Sequence, residues 1–153
     1  MFRGKQITDG VWFEGGIETI INSKPYICTK AKYRNDTQDW GVAESNLNYL
    51  PARVEVIPET VGQYTGMFDK CGKKIFEGDI IARAIYDSRL NSIKKIHYGV
   101  FWNDEEKGFY VCGIGHTDID YIGNFFESNI EVVGNIHDNN IGDFIHTKVD
   151  FGG

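Results

Sequence analysis

Three carboxylates, Asp69, Glu77 and Asp79, lie in or beside the turn of the most distinctive segment of the chain, Val61–Ile81. Carboxylates this close along the chain could bind a hard cation such as Mg²⁺ or act as an acid–base pair. Each also has a structural explanation, because Asp accepts backbone N–H groups in turns, and Glu77 in an alternating strand faces away from Phe76. We prefer the structural explanation, assign no catalytic residue and expect no cofactor.

A second group of potential ligands lies in the run His116-Thr117-Asp118-Ile119-Asp120. A loop that carries His116, Asp118 and Asp120 together could hold a divalent ion. The run lacks the Gly and the distal Glu of a complete calcium-binding loop, however. A polar turn before Tyr121 is therefore the preferred interpretation, and the metal site is kept as the alternative.

The sequence contains none of the G-x-S-x-G, H-E-x-x-H or Walker-type patterns that mark several enzyme classes. Its three cysteines, Cys28, Cys71 and Cys112, form no C-x-x-C pair, and their odd number leaves at least one thiol unpaired in a monomer. Unpaired thiols favour a reducing compartment. No signal peptide follows Met1, and no apolar run approaches the ~18 residues of a membrane span. We therefore expect a cytoplasmic protein without a membrane partner.

The net charge of −6 is unevenly distributed along the chain. Residues 1–60 carry 7 basic and 8 acidic side chains, residues 61–100 carry 7 and 4, and residues 101–153 carry 2 and 10. An acidic surface repels phosphate backbones. We expect the basic middle to pair with the acidic last third, within one molecule or between copies; a nucleic-acid contact is the alternative. The basic residues are Lys70, Lys73, Lys74, Arg83, Arg89, Lys94 and Lys95.

Aromatic residues make up 14% of the sequence, which is enough for both a core and a binding surface. In a small β protein most such side chains fill the core, whereas those beside basic residues could stack on single-stranded nucleic acid. We expect Tyr64 and Trp102 to keep one edge in water. The candidate binding surface comprises Tyr64, Thr65, Asp69, Lys73, Lys74, Glu77, Asp79 and Trp102.

Curved β-hairpins must position these residues, because short apolar runs alternate with turn residues along much of the chain. Val61–Ile81 predicts a hairpin whose turn closes on Gly72, and Tyr98–Trp102 with Gly108–Val111 predicts a second. The pattern predicts an all-β fold of curved hairpins forming one or two small intertwined barrels, with at most a short helix. Residues 32–48 fit either a long loop or a short helix.

The length allows one domain or two small ones. We predict an N-terminal β unit over residues 1–57, a central hairpin and C-terminal β unit over residues 58–138, and a tail over residues 139–153. The two units are expected to form one compact body. The end of the tail is expected to be loose unless Phe144 and its apolar neighbours dock on the rest of the protein.

Three blocks of the sequence resemble the YopX family of bacteriophage and prophage proteins. The second block is the most specific, and the blocks follow one another in the expected order. The chain departs from the family pattern at Cys71, where Asn is more usual and suits a left-handed turn better. The blocks are Phe2–Lys5 with Asp9, Gly10 and Trp12; Ile57–Gly66 with Asp69–Lys73 and Ile75–Ile80; and Glu131–Asn139.

The resemblance implies a mostly β fold, a phage or prophage origin and a bacterial cytoplasmic setting, and it supplies no catalytic residue. We therefore expect a non-enzymatic protein-binding or assembly module that acts on a protein partner or on further copies of itself as an oligomer. One alternative is a nucleic-acid-associated accessory protein. A metal-dependent hydrolase that uses the Asp and His loops is the third hypothesis.

Overall fold

The computed structural model describes residues 1–20, 24–32 and 49–145. The loop or helix expected over residues 32–48 lies outside these ranges except for Lys32, and so does the tail from residue 146 onward. The chain divides into two compact units, Met1–Gln63 and Tyr64–Gly153. The division falls inside a strand, which begins in the first unit and continues in the second.

The first unit is an antiparallel sheet of consecutive strands. The turn at Asp9 and Gly10 joins the first two, and Asp9 Oδ1 accepts the Val11 N–H at 3.1 Å. Ile27 and Val56 are fully buried between these strands and their connections. The elements are β1 (Phe2–Lys5), β2 (Trp12–Ile20), β3 (Lys24–Lys32), β4 (Tyr49–Glu55), a 3-10 helix (Pro58–Thr60) and the start of β5 (Gly62–Phe68), which pairs with β1.

The second unit contains the β5–β6 hairpin and a five-stranded antiparallel sheet with the order β10-β9-β8-β7-β11. Each strand from β7 to β10 is joined to the next by a hairpin turn or a short loop, as the closely spaced turn residues of the sequence predict. The remaining elements are β6 (Lys74–Phe76), β7 (Asp79–Asp87), β8 (Ser92–Asn103), β9 (Gly108–Gly113), β10 (Ile119–Tyr121), two 3-10 helices (Ile122–Asn124 and Glu127–Asn129), β11 (Ile130–Asn135) and α1 (Gly142–Ile145).

Asp69 holds the turn of the β5–β6 hairpin. Its Oδ1 accepts the N–H groups of Cys71 at 2.9 Å and Lys73 at 2.8 Å, and its Oδ2 accepts the N–H of Val132 in β11 at 2.9 Å. Gly72 closes the turn with a φ of 80°, a left-handed conformation that favours glycine. The carboxylate is 5% exposed and therefore joins the turn to β11 inside the protein.

The core of the second unit lies on one face of the five-stranded sheet. Alternation along β8 turns Tyr98 and Val100 into this core, opposite Val111 of β9. Burying one such side chain stabilises by about 1.5–3 kcal/mol, whereas an exposed ion pair contributes about 0–1 kcal/mol. Apolar burial therefore dominates the stability of this unit. The buried cluster is Ile75, Ile81, Tyr98, Val100, Val111, Ile122, Phe125 and Ile130.

The all-β prediction with at most one short helix is confirmed, since the described residues form two antiparallel sheets and a single four-residue α-helix. Both predicted hairpins are present as β5–β6 and β8–β9. The sheets differ from the expected barrels in being open. No pairing between β10 and β11 closes the five-stranded sheet in the described residues. In those residues, no helix is long and apolar enough to cross a bilayer.

Asp69→Asn tests the buried carboxylate. Burial alone would raise the pKa of Asp69, but the N–H groups of Val132, Lys73 and Cys71 and the charge of Lys73 hold this pKa below its ordinary value. The charged form is therefore stabilising above about pH 3.9, and that stabilisation is lost as the pH falls through the folded pKa. We expect Asn to lower the free energy of unfolding by about 1–3 kcal/mol at pH 7, and by less at pH 3.

Urea denaturation at both pH values measures this effect. The control is Glu105→Gln, which changes a carboxylate on an exposed residue and should alter the free energy of unfolding by less than about 0.5 kcal/mol. A loss that is the same at pH 3 as at pH 7 contradicts the assigned role of the Asp69 charge.

Candidate functional site

An aromatic pair begins the candidate site at the end of the β8–β9 hairpin. Trp102 in β8 and Phe109 in β9 lie opposite each other in register, and their rings meet edge to face with centroids 5.0 Å apart. Because side chains alternate along a strand, both rings lie on the face of the sheet that carries the core, just past the last buried residues of that core. Trp102 consequently remains 38% exposed and forms one wall of a groove.

The groove has a volume of about 560 Å³, within the range of ligand-binding clefts. Ile122 and Phe125 form its buried floor, at 3% and 4% exposure. Phe126 is 72% exposed and Tyr121 47%, so two further aromatic side chains stand at the rim. The lining residues are Thr65, Met67, Trp102, Lys107, Gly108, Phe109, Tyr121, Ile122, Gly123, Phe125, Phe126 and Glu127.

Glycine at position 123 allows the Tyr121 ring to lie where it does. A Cβ at Gly123 would stand 2.3 Å from Cε1 of that ring, far inside van der Waals contact. The ring also meets Tyr110 edge to face, with centroids 5.6 Å apart. The position of the Tyr121 ring therefore depends on the absence of a side chain at residue 123.

An acidic turn adjoins the groove. Asp104 Oδ1 accepts the indole N–H of Trp102 at 3.2 Å and lies 3.5 Å from Lys107 Nζ. Asn103 Oδ1 accepts the N–H groups of Glu105 and Glu106 at 3.0 and 3.2 Å, which fixes the shape of the turn. Both glutamates are exposed. Lys107 and Glu127 line the groove itself, so the acidic turn beside it gives this end of the sheet a net negative charge.

The predicted binding surface is only partly accessible. Asp69 and Asp79 are 5% and 1% exposed, and Asp79 Oδ2 accepts the Phe76 N–H at 2.8 Å. Their assignment to the surface is corrected, because both carboxylates are used inside the protein as acceptors for backbone amides. Thr65 is half-buried, and its hydroxyl donates to the Ile75 carbonyl at 2.8 Å.

Four of the other predicted surface residues surround the β5–β6 hairpin. Tyr64, Lys74 and Glu77 are half-buried, and Lys73 is exposed. The Tyr64 ring packs against Phe76 with centroids 5.6 Å apart. Of the eight predicted surface residues, only Thr65 and Trp102 line the aromatic groove.

Sequence reasoning missed Tyr121 and Phe126 as members of the site. Both border 3-10 helices, which have no long apolar repeat that would show which way a side chain points. Phe109 had a usable signal, because a hairpin with its turn at residues 104–107 places it directly opposite Trp102.

The basic residues of the middle segment separate into three sets. Lys73 and Lys74 lie at the β5–β6 hairpin. Lys70 pairs with Glu131 at 3.3 Å, and the Arg83 guanidinium lies 4.3 Å above the Phe125 ring. The third set, Arg89, Lys94 and Lys95, lies in and beside the β7–β8 turn, where Arg89 Nε is 3.6 Å from Asp87 Oδ1. Lys94 and Trp102 are eight positions apart along β8, so at about 3.4 Å per residue this basic end lies about 27 Å from the groove.

A second cavity, of about 430 Å³, lies at the basic end of the sheet. His116 contacts the His97 carbonyl through Nε2 at 3.1 Å and Asp118 Oδ2 through Nδ1 at 3.3 Å. The Phe144 ring packs on His97 with centroids 5.3 Å apart, so this part of the tail docks on the sheet. His97 and His116 both line the cavity together with Lys95 and Asp118.

The metal candidate is not assembled in the described residues. His116 and Asp118 come together, but Asp120 Oδ1 accepts the Tyr121 N–H and the Asn124 side-chain N–H, both at 2.8 Å. No three His, Cys, Asp or Glu side chains within those residues cluster as metal ligands. Asp120 is therefore engaged in its own turn, away from the contact between His116 and Asp118.

Comparison with known proteins places the chain in a sequence family. A family model described as YopX protein matches residues 2–141, which is most of the chain and includes the β5–β6 hairpin and all residues that line the aromatic groove. No curated protein matches the chain.

Gly123→Ala tests the packing of the Tyr121 ring at the rim of the groove. The new Cβ should turn the ring away from its position, and because the ring is half-exposed the free energy of unfolding should fall by no more than about 1 kcal/mol. NMR shifts of the Tyr121 ring and of the Trp102 indole report the change. Gly99→Ala is the control, since a Cβ there meets nothing within 4 Å. Unchanged Tyr121 shifts in Gly123→Ala would contradict the described packing.

The second cavity predicts a pH dependence near neutrality. Burial, the charge of Lys95 and the neighbouring His116 lower the pKa of His97. The neutral form is therefore favoured in the folded state, and the associated stability, complete above about pH 6.5, is lost as the pH falls toward the folded pKa. We expect His97→Gln to flatten the dependence of the melting temperature on pH between pH 7 and 5. A slope equal to that of the wild type would refute this role.

Proposed function

We propose that this chain, which belongs to the YopX family, is a non-enzymatic protein-binding module whose aromatic groove takes a basic, apolar segment of a partner protein. The observation that carries the proposal is the position of Trp102, Tyr121 and Phe126, three exposed aromatic side chains around one groove. Exposed apolar patches rimmed by polar residues are typical of interaction sites. Trp and Tyr are also enriched among the residues that dominate interface energies.

The chemistry of the rim selects the kind of partner. Glu127 lines the groove, Asp104 contacts Trp102, and Glu105 and Glu106 follow Asp104 in the adjoining turn. These four carboxylates outnumber Lys107, so a bound segment gains from positive charge. Lys and Arg can also lie over Trp and Tyr rings, a contact that contributes about 0.5–1 kcal/mol at exposed sites and more when desolvated. Apolar side chains of the partner would cover Ile122 and Phe125 on the floor of the groove.

The nucleic-acid alternative has weaker support. Stacking platforms combine aromatic side chains with a basic groove that follows the phosphates. Here Lys107 lines the aromatic groove but is outnumbered by nearby carboxylates, while Arg89, Lys94 and Lys95 lie about 27 Å away at the other end of β8. The hydrolase alternative gains no support from the described residues, since they contain no cluster of three potential metal ligands.

We also propose a bacterial cytoplasmic setting and a phage or prophage origin, as the family resemblance implies. The three cysteines all lie within the described ranges and are all free thiols, which supports a reducing compartment.

The test is binding of a fluorescein-labelled synthetic peptide that alternates Leu with Lys and Arg, followed by fluorescence anisotropy. We expect Trp102→Ala and Phe126→Ala each to weaken binding about tenfold or more, which corresponds to about 1.4 kcal/mol. Binding should weaken at high salt, because the carboxylate contacts are exposed.

Two controls make the result specific to the groove. Ile7→Ala removes an apolar side chain that is 50% exposed and belongs to the first unit, and it should leave the affinity unchanged. A peptide with Glu in place of Lys and Arg should not bind. If both groove variants bind the basic peptide as tightly as the wild type does, the proposed site is wrong.

A further inference from the structure

We infer that the segment bound by the groove comes from a second copy of this chain: the β7–β8 hairpin tip of one copy occupies the aromatic groove of the next. The hairpin tip is defined here as residues 86–95. This inference rests on the proposed function and adds the identity of the partner. It gives the protein a head-to-tail mode of assembly.

The hairpin tip has the basic and apolar character that the groove requires. Arg89 has an 88% exposed side chain, and Lys95 is exposed. Between and beside these charges, Leu90 is 51% exposed and Ile93 69%. Water solvates the exposed apolar side chains poorly, and an aromatic groove beside an acidic turn would cover them while attracting the neighbouring cations.

The tip is also held in one shape, which lowers the entropic cost of docking. Asp87 Oδ1 accepts the Arg89 N–H at 3.0 Å, and the Tyr86 hydroxyl donates to Asn91 Oδ1 at 2.5 Å. Asn91 has a φ of 47°, the left-handed conformation that closes the turn. The exposed apolar side chains of the tip are thus presented by a structured hairpin.

The charges of the two surfaces are complementary. The tip carries Arg89, Lys94 and Lys95 against Asp87, a net charge of +2. The turn beside the groove carries Asp104, Glu105 and Glu106 against Lys107, a net charge of −2. Opposite charges of equal size favour the encounter of tip and groove and oppose tip–tip and groove–groove contacts.

The strand β8 determines that this contact forms between copies. It carries the tip at its beginning and Trp102 near its end, and a paired strand cannot fold back on itself. The two surfaces of one copy therefore stay about 27 Å apart. Once a tip docks in a groove, the first copy keeps an open groove and the second keeps a free tip. Such a heterologous contact adds further copies until a ring closes or a filament forms.

Mixing two variants with opposite defects tests the inference. The tip variant is Leu90→Ser with Ile93→Ser, and the groove variant is Trp102→Ala with Phe126→Ala; all four side chains are at least 38% exposed. Sedimentation velocity of the full chain should show association that rises with concentration for the wild type. Each variant alone should be monomeric, and their equimolar mixture should form a 1:1 heterodimer and nothing larger.

The mixture is decisive because one variant keeps an intact groove and the other an intact tip. A wild type that stays monomeric up to millimolar concentration overturns the inference, as does a mixture that stays monomeric or a tip variant that assembles like the wild type. Circular dichroism melts confirm that both variants are folded. Ile7→Ser is the matched control for loss of an exposed apolar side chain in the first unit, and it should assemble normally.

Anisotropy with the basic peptide separates this inference from the proposed function. If the wild type binds the peptide through its groove but stays monomeric, the partner is another protein and only the inference fails. If the groove variant still binds the peptide, the proposed function fails as well. With both correct, the peptide should inhibit self-association, and the tip variant should still bind the peptide with the affinity of the wild type.

Discussion

The buried carboxylate of Asp69 is the interaction on which the geometry of the C-terminal unit depends. It accepts two N–H groups of its own turn and a third from Val132 in β11. The β5–β6 hairpin carries Thr65 and Met67, which line the groove, while β11 contributes Ile130 to the core. Without the carboxylate, three amide groups would lose their acceptor, at a cost of about 1–3 kcal/mol for each one left buried and unpaired. The hairpin would then lose its fixed position beside the groove.

Local signals predicted much of this fold, and they failed where the answer depends on residues far apart in the chain. Gly72 and Asp69 predict a tight turn because each has a conformational or hydrogen-bonding preference that acts within a few residues. That Asp69 also binds Val132, 63 positions later, leaves no trace in the local sequence, and local reasoning therefore assigns the residue to the surface. Closure into barrels failed as a prediction for the same reason, since hairpins predict curvature but not whether two edge strands meet. In the site, the sequence indicates Trp102 but not Tyr121 or Phe126. Tyr121 ends a three-residue strand and Phe126 precedes a three-residue 3-10 helix, and both elements are too short to show a periodic pattern.

The structure also changes the meaning of the charge distribution. By sequence, the basic middle and the acidic last third are two successive segments. In the fold, one antiparallel sheet brings parts of them together, and Lys70 pairs with Glu131. Other charges are separated along β8, with Arg89, Lys94 and Lys95 at one end and the acidic turn at the other. A paired strand is rigid enough to hold the basic tip and the acidic turn apart. The uneven charge of the sequence therefore becomes a C-terminal unit with one basic and one acidic end.

This polarity decides between a protein and a nucleic acid as the ligand of the groove. A phosphate backbone in the groove would meet Glu127 and Lys107 in the lining and the acidic turn of Asp104, Glu105 and Glu106 beside it, and the net negative charge of these residues repels it. The cations at the hairpin tip could offset that repulsion only across about 27 Å, which is nearly three Debye lengths at 0.1 M salt, where one Debye length is about 10 Å. Their contribution at the groove is therefore negligible. A basic, apolar segment meets the opposite situation, since the same carboxylates attract it at short range and the rings of Trp102 and Tyr121 accept both its cations and its apolar side chains.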